Sequence, residues 1–156
     1  MMKNIHYSFF AYNTLHKMNS HYILLEDVLS SIENRLREGI NVGLIAGEFD
    51  ISLRHLQRLF KIVFNKPLGL YIRSRKLAAS IDDLLNTDLN VLDIALDYGF
   101  EYEQSYIRSF RREYGITPGS LRKTKKTLEV TPPLNIFDSQ KYPDAVTADL
   151  YQEHRW

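Results

Sequence analysis

Ile45-Ala46-Gly47-Glu48-Phe49-Asp50 returns 49 residues later as Ile94-Ala95-Leu96-Asp97-Tyr98-Gly99. Arg58-Leu59-Phe60-Lys61 returns 50 residues later as Arg108-Ser109-Phe110-Arg111. Each copy has the order of a helix-turn-helix: a short helix with a small residue toward its partner, a tight turn, then a helix with one apolar and one basic face. Two such units on one rigid body can meet two successive major-groove segments of one duplex without a dimer. The pattern predicts an all-α fold with two helix-turn-helix units.

Working outward, Asn41 is placed to cap the short helix of the first unit and Ser52 the second helix, which runs to about Phe64. Asp50 holds the turn position, where a left-handed backbone is tolerated by aspartate, though less well than by glycine. Asn90, with Asp93 three residues on, resembles a capping box for the second unit. Gly99 supplies its turn. The last main helix runs from about Tyr102 to Tyr114, and Thr117-Pro118-Gly119-Ser120 starts a short final turn. Between the units, Leu70, Leu77, Ile81 and Leu84/Leu85 at helical spacing predict a long helix over 68–85. At ~1.5 Å per residue it spans ~27 Å, similar to the ~34 Å between successive turns of one groove. Upstream, Ile23, Leu24, Val28, Ile32 and Leu36 predict a helix over 22–37, with Gly39 as its stop.

The outer segments differ. Residues 1–20 show no clear period and read as an extension; 21–126 form the tandem unit; 127–156 hold three of the five prolines and read as a linker, a docked arm or a truncated stub. Removing 127–156 is expected to leave the fold intact.

Charge is segregated along the chain. The net charge of +1 divides into -2 over 1–51, +6 over 52–126 and -3 over 127–156. Only the part with both second helices is basic. The 156 residues are 44% hydrophobic, with mean hydropathy -0.30. No run approaches the ~20 apolar residues of a membrane span, and no secretory apolar region opens the chain. The absence of cysteine excludes disulfides and thiolate chemistry. A cytoplasmic protein with no membrane partner is expected.

In the first unit, Leu56, Leu59, Phe60, Val63 and Phe64 mark the apolar face of the second helix. Arg54, Gln57, Arg58 and Lys61 lie at i, i+3, i+4 and i+7 on the other face. Arg pairs bidentately with guanine and Gln with adenine. Lys61 is better placed for phosphate. In the second unit Tyr106, Ile107, Phe110 and Tyr114 read as buried, with Gln104, Arg108 and Arg111 opposite. Glu103 has three readings: an acceptor for cytosine N4, a partner of Arg108, or an acidic residue favouring the positive helix end. The helix-end role is preferred.

At these residues the chain resembles the AraC/XylS family of bacterial transcription regulators, most closely its MarA/SoxS/Rob branch. The resemblance is carried by Ser52 through Lys61, Pro67 through Lys76, Tyr98 through Phe110-Arg111, and Gly115-Ile116-Thr117-Pro118, and covers about residues 21–125. It implies seven helices in two subdomains joined by a linker helix. It also implies a monomer or weak oligomer on asymmetric double-stranded DNA, with RNA polymerase as candidate protein partner. The family's base-reading positions fall on Arg54, Gln57, Arg58, Glu103, Gln104 and Arg108. Ser52, Lys61, Arg73, Arg111 and Arg112 are the candidates for backbone contacts. Asp50 stands where a turn glycine is usual, Arg54 where some relatives have an aromatic, and Leu121 where tyrosine is common. These departures bear on the operator rather than on the fold.

Other chemistries find little support. The histidines at 6, 16, 21, 55 and 154 lack metal-ligand spacing, and no glycine-rich phosphate loop occurs. Asp82-Asp83 and Asp93/Asp97 read as solvated carboxylates. No cofactor, metal or catalytic activity is expected. The competing hypothesis is a helix-turn-helix adaptor for proteins, without operator preference.

Overall fold

In a computed structural model of the chain, residues 20–37 and 39–136 are described. Among them are seven helices and no strand. These are α1 over 20–34, α2 Val42–Glu48, α3 Leu53–Phe64, α4 Leu68–Asn86, α5 Val91–Asp97, α6 Glu103–Tyr114 and α7 Pro118–Thr124. Of the extension expected over 1–20, residues 1–19 lie outside the described residues, as does the tail beyond 136; residue 20 already belongs to α1.

The caps and turns follow the sequence. Asn41 Oδ1 accepts from the Gly43 and Leu44 N–H groups at 2.9 and 3.2 Å. Asn90 Oδ1 accepts from Asp93 N–H at 2.8 Å, and Ser52 Oγ from His55 N–H at 3.1 Å. Each bond satisfies a donor that a helix start leaves without a partner. Both turns then close in the same way. Asp50 N–H donates to the Gly47 carbonyl and Ile51 N–H to that of Ala46, at 3.2 and 3.1 Å. In the second unit Gly99 donates to Leu96 and Phe100 to Ala95, both at 2.9 Å. This pair of bonds is the Schellman closure, which needs a left-handed residue at the bend. Asp50 and Gly99 supply it, with φ of +53° and +72°. The second helices also end alike, on left-handed Asn65 and Gly115.

The two turns differ in one respect that stability can read. An L side chain in the left-handed region is disfavoured by about 1–2 kcal/mol, less for aspartate. Asp50→Gly relieves that strain, partly offset by the freedom glycine adds to the unfolded chain. Asp50→Ala keeps the strain and loses the aspartate's local tolerance. Asp50→Gly is expected to melt above Asp50→Ala, the pair differing by about 1 kcal/mol. Equal melting temperatures would show that the turn is not held left-handed in solution.

The first helix buries most of the expected stripe, with one residue of it left outside. Leu25, Val28, Leu29, Ile32 and Leu36 are in the core, whereas Ile23 is 59% exposed. The helical part ends at 34, and 35–37 form a turn. Linker helix α4 departs further. Leu70 is exposed, and the buried residues run around the helix: Leu68, Tyr71, Ile72, Ser74, Lys76, Leu77, Ser80, Asp83 and Leu84. The cause is its position. It packs on α3, α5, α6 and α7 together, so no single apolar stripe marks its inner side. Its carboxyl end is closed by Arg122 of α7, which donates to the carbonyls of Leu84 and Leu89 at 3.0 and 2.6 Å. A cation there also complements the helix dipole.

After α7 the chain returns across the molecule. Leu128, Leu134 and Ile136 pack against the core. Arg75 Nη1 donates to the Thr131 carbonyl at 2.6 Å, and Leu134 N–H donates to Tyr71 Oη at 3.2 Å. The expectation that removing 127–156 leaves the fold intact is therefore narrowed: the helices should remain, at a cost in stability. Deletion removes three partly buried apolar side chains and two hydrogen bonds to α4. A loss of about 2–4 kcal/mol is expected from half-burial of side chains worth ~1.5–3 kcal/mol each when fully buried, with the helices retained. Urea unfolding of the truncated chain checks this, and an unchanged midpoint would show that the segment contributes nothing.

Candidate nucleic-acid interface

Hydrophobic period decides what α3 and α6 present. On α3, Leu56, Leu59, Phe60 and Val63 are buried, while Arg54, Gln57, Arg58 and Lys61 are exposed. On α6, Tyr106 and Phe110 are buried, and Gln104, Arg108, Arg111 and Arg112 are exposed. Ile107 and Tyr114 are half-buried, so the apolar face of α6 is narrower than the sequence suggests. Rings meet at tilted or edge-on angles in both units: Phe60 lies 4.8 Å from Phe64 and 5.5 Å from Tyr71, and Phe110 lies 4.8 Å from Tyr114. Such contacts fix how each helix is rotated, and so which side chains face outward. Burial pushes the Tyr106 and Tyr114 hydroxyls up to about 12, so both stay neutral.

The remaining sequence candidates distribute as follows. Glu103 is the first residue of α6 and is half-buried. The ion pairs among the described residues join Arg35–Glu48, Arg37–Asp83 and Arg75–Glu33, and none joins Glu103 to Arg108. Ser52 is exposed and its oxygen caps α3. Arg73 is exposed on α4. Sequence reasoning missed Tyr102. It occupies the N-cap of α6, makes no cap bond and is 67% exposed. Its one signal was position, since it stands where Ser52 stands in the first unit.

Two polar knots hold α4 to its surroundings. In the first, Glu33 of α1 accepts from Arg75 Nε and Nη2 at 2.9 and 2.8 Å and from Tyr71 Oη at 2.8 Å. The two-pronged arginine geometry fixes orientation as well as distance. In the second, Asp83 accepts from Arg37 Nη2 at 2.6 Å and from Tyr98 Oη at 2.8 Å. The Arg37 guanidinium also lies 5.6 Å from the Tyr98 ring centroid. Burial, then the Asp83 bond, pushes the Tyr98 hydroxyl above its usual range. The reading of Asp82-Asp83 as solvated is half corrected: Asp82 is exposed, but the Asp83 side chain is only 5% exposed. Arg37 follows α1 and Tyr98 closes α5, so this carboxylate ties the first unit's support to the turn of the second.

Comparison with known proteins agrees with this double construction. The profile of a family described as a helix-turn-helix domain matches residues 45–124, more than half of the chain. The regulatory protein SoxS of Escherichia coli (strain K12) is 33% identical over 103 residues, 66% of this chain and 96% of that protein. The chain belongs to the AraC/XylS family. Within it the MarA/SoxS/Rob branch is supported. The probable transcription factor PqrA of Proteus vulgaris is 36% identical over 102 residues, 64% of this chain and 84% of that protein. Among solved structures, an AraC-type regulator from Chromobacterium violaceum superposes with TM-score 0.61 at 25% identity, over 70% of this chain and 97% of that one. The DNA-binding domain of AdpA, crystallised with a target DNA, shares the fold at TM-score 0.58 and 22% identity, over 62% of this chain and 87% of that one. Among the described residues no helix is long and apolar enough to cross a membrane.

Proposed function

We propose that this AraC/XylS member is a sequence-specific DNA-binding transcription regulator that places α3 and α6 in two adjacent major-groove segments of one duplex. The observation that carries the reading is the duplicated exposed face. Arg54, Gln57 and Arg58 stand out on α3 and Gln104 and Arg108 on α6, each behind the same Schellman turn. Arg and Gln read guanine and adenine edges. Glu103 contributes at the start of α6, by the helix-end effect or by accepting from a cytosine. Ser52, Lys61, Arg73, Arg111 and Arg112 hold phosphates. The working unit is 21–126, a monomer or weak oligomer in the cytoplasm, with RNA polymerase as protein partner and no catalytic activity. The names of the relatives, regulators in both curated cases, support the same reading.

Selection of bound sequences from a random duplex pool tests it. The expected product is a motif in two parts about one helical turn apart, with affinity falling steeply with salt. A single part would mean that one unit alone reads bases. No enrichment would favour the adaptor.

A further inference from the structure

Lys76 sits mid-way along α4 and is only 9% exposed. It makes no hydrogen bond or ion pair among the described residues; the ion pairs of α4 run from Arg75 and Asp83. A covered cation without a counter-charge is unfavourable, and burial lowers the affinity of this amine for its proton. Long cationic side chains cover their stem and turn the head group toward polar surroundings, and the residual exposure of Lys76 leaves that route open.

Position gives the missing partner. Gly69, Arg73 and Lys76 fall at i, i+4 and i+7, one stripe along α4. Gly69 and Arg73 are exposed. Lys76 continues that stripe toward the middle of a helix that contacts both α3 and α6. We infer that Lys76 binds one backbone phosphate between the two half-sites, the duplex bringing the counter-charge that the protein withholds. The inference rests on the DNA-reading function proposed above. A lysine suits this task because phosphate is bound as a point charge, with no base identity to read.

The test uses the full chain, a labelled duplex carrying the selected motif and a second of scrambled sequence. Binding is followed across a salt series for wild type, Lys76→Met and Lys76→Arg. Lys76→Met is expected to weaken both duplexes by the same factor and to lower the salt slope by about 0.9, the share of one phosphate. Lys76→Arg should keep the slope. Removing an unpaired covered charge should leave the melting temperature of Lys76→Met level or higher. An unchanged slope in Lys76→Met would overturn the assignment and leave Lys76 as packing. Phosphate ethylation interference with the unaltered protein gives a reading that does not depend on any variant folding. A blocking phosphate between the half-sites is expected, and its absence also overturns the inference. If wild type fails to distinguish the two duplexes and shows no salt dependence, the DNA-reading function itself falls.

Discussion

Arg37→Met is expected to destabilise the fold by about 3 kcal/mol, whereas Asp83→Asn should cost about 1 kcal/mol. The asymmetry comes from where each charge sits. The Arg37 side chain is 59% exposed and the Asp83 side chain 5% exposed. Losing the carboxylate returns the guanidinium to water and leaves an amide oxygen that still accepts from Tyr98. Losing the guanidinium leaves a buried carboxylate with Tyr98 as its one remaining side-chain donor. The value for Arg37→Met sits at the lower edge of the range for buried pairs because half of this pair meets solvent. Combining the substitutions should recover most of the loss.

Urea unfolding of the two single variants and the double variant reads the asymmetry. Equal losses for the single variants would show that the pair is not buried in solution. Operator affinity adds a functional readout. Because the pair ties the support of α3 to the turn before α6, Arg37→Met should weaken a two-part site more than an isolated half-site.

This pair also marks where sequence reading stops. Asn41, Ser52, Asn90, Asp50 and Gly99 were legible because caps and turns depend on a few neighbouring residues. The faces of α3 and α6 were legible because an apolar period repeats along a helix covered on one side. The α4 stripe was not, since a helix packed on several sides loses the contrast between faces. Asp83 looked like Asp82 because nothing local distinguishes two adjacent carboxylates. Its partners come from 46 residues upstream and 15 downstream. Ile23 shows the opposite error, an apolar residue in helical register that the fold leaves outside. The docking of 127–136 depended on Tyr71 and Arg75 being turned toward it, which no periodicity in the segment itself reveals.

Arg58→Ala and Arg108→Ala are each expected to cost about 1–3 kcal/mol of operator affinity, roughly a factor of 5 to 150, and to relax base choice only in their own half-site. The two arginines are 50 residues apart and occupy the same place in the two copies. Both are exposed on the face opposite the core. Their side chains belong to separate units, so the double variant should lose close to the sum of the single effects. That would bring the operator near the level of unrelated sequence. Lys61→Ala and Arg111→Ala supply the contrast. As phosphate contacts they should weaken all duplexes alike, each lowering the salt slope by about 0.9. Repeating the pool selection with each variant separates the two classes: an arginine that reads bases blurs particular positions, while a phosphate contact leaves the motif sharp. If Arg108→Ala left the motif unchanged and only lowered the slope, α6 would be holding the backbone. Specificity would then belong to α3, despite the matching architecture of the two units.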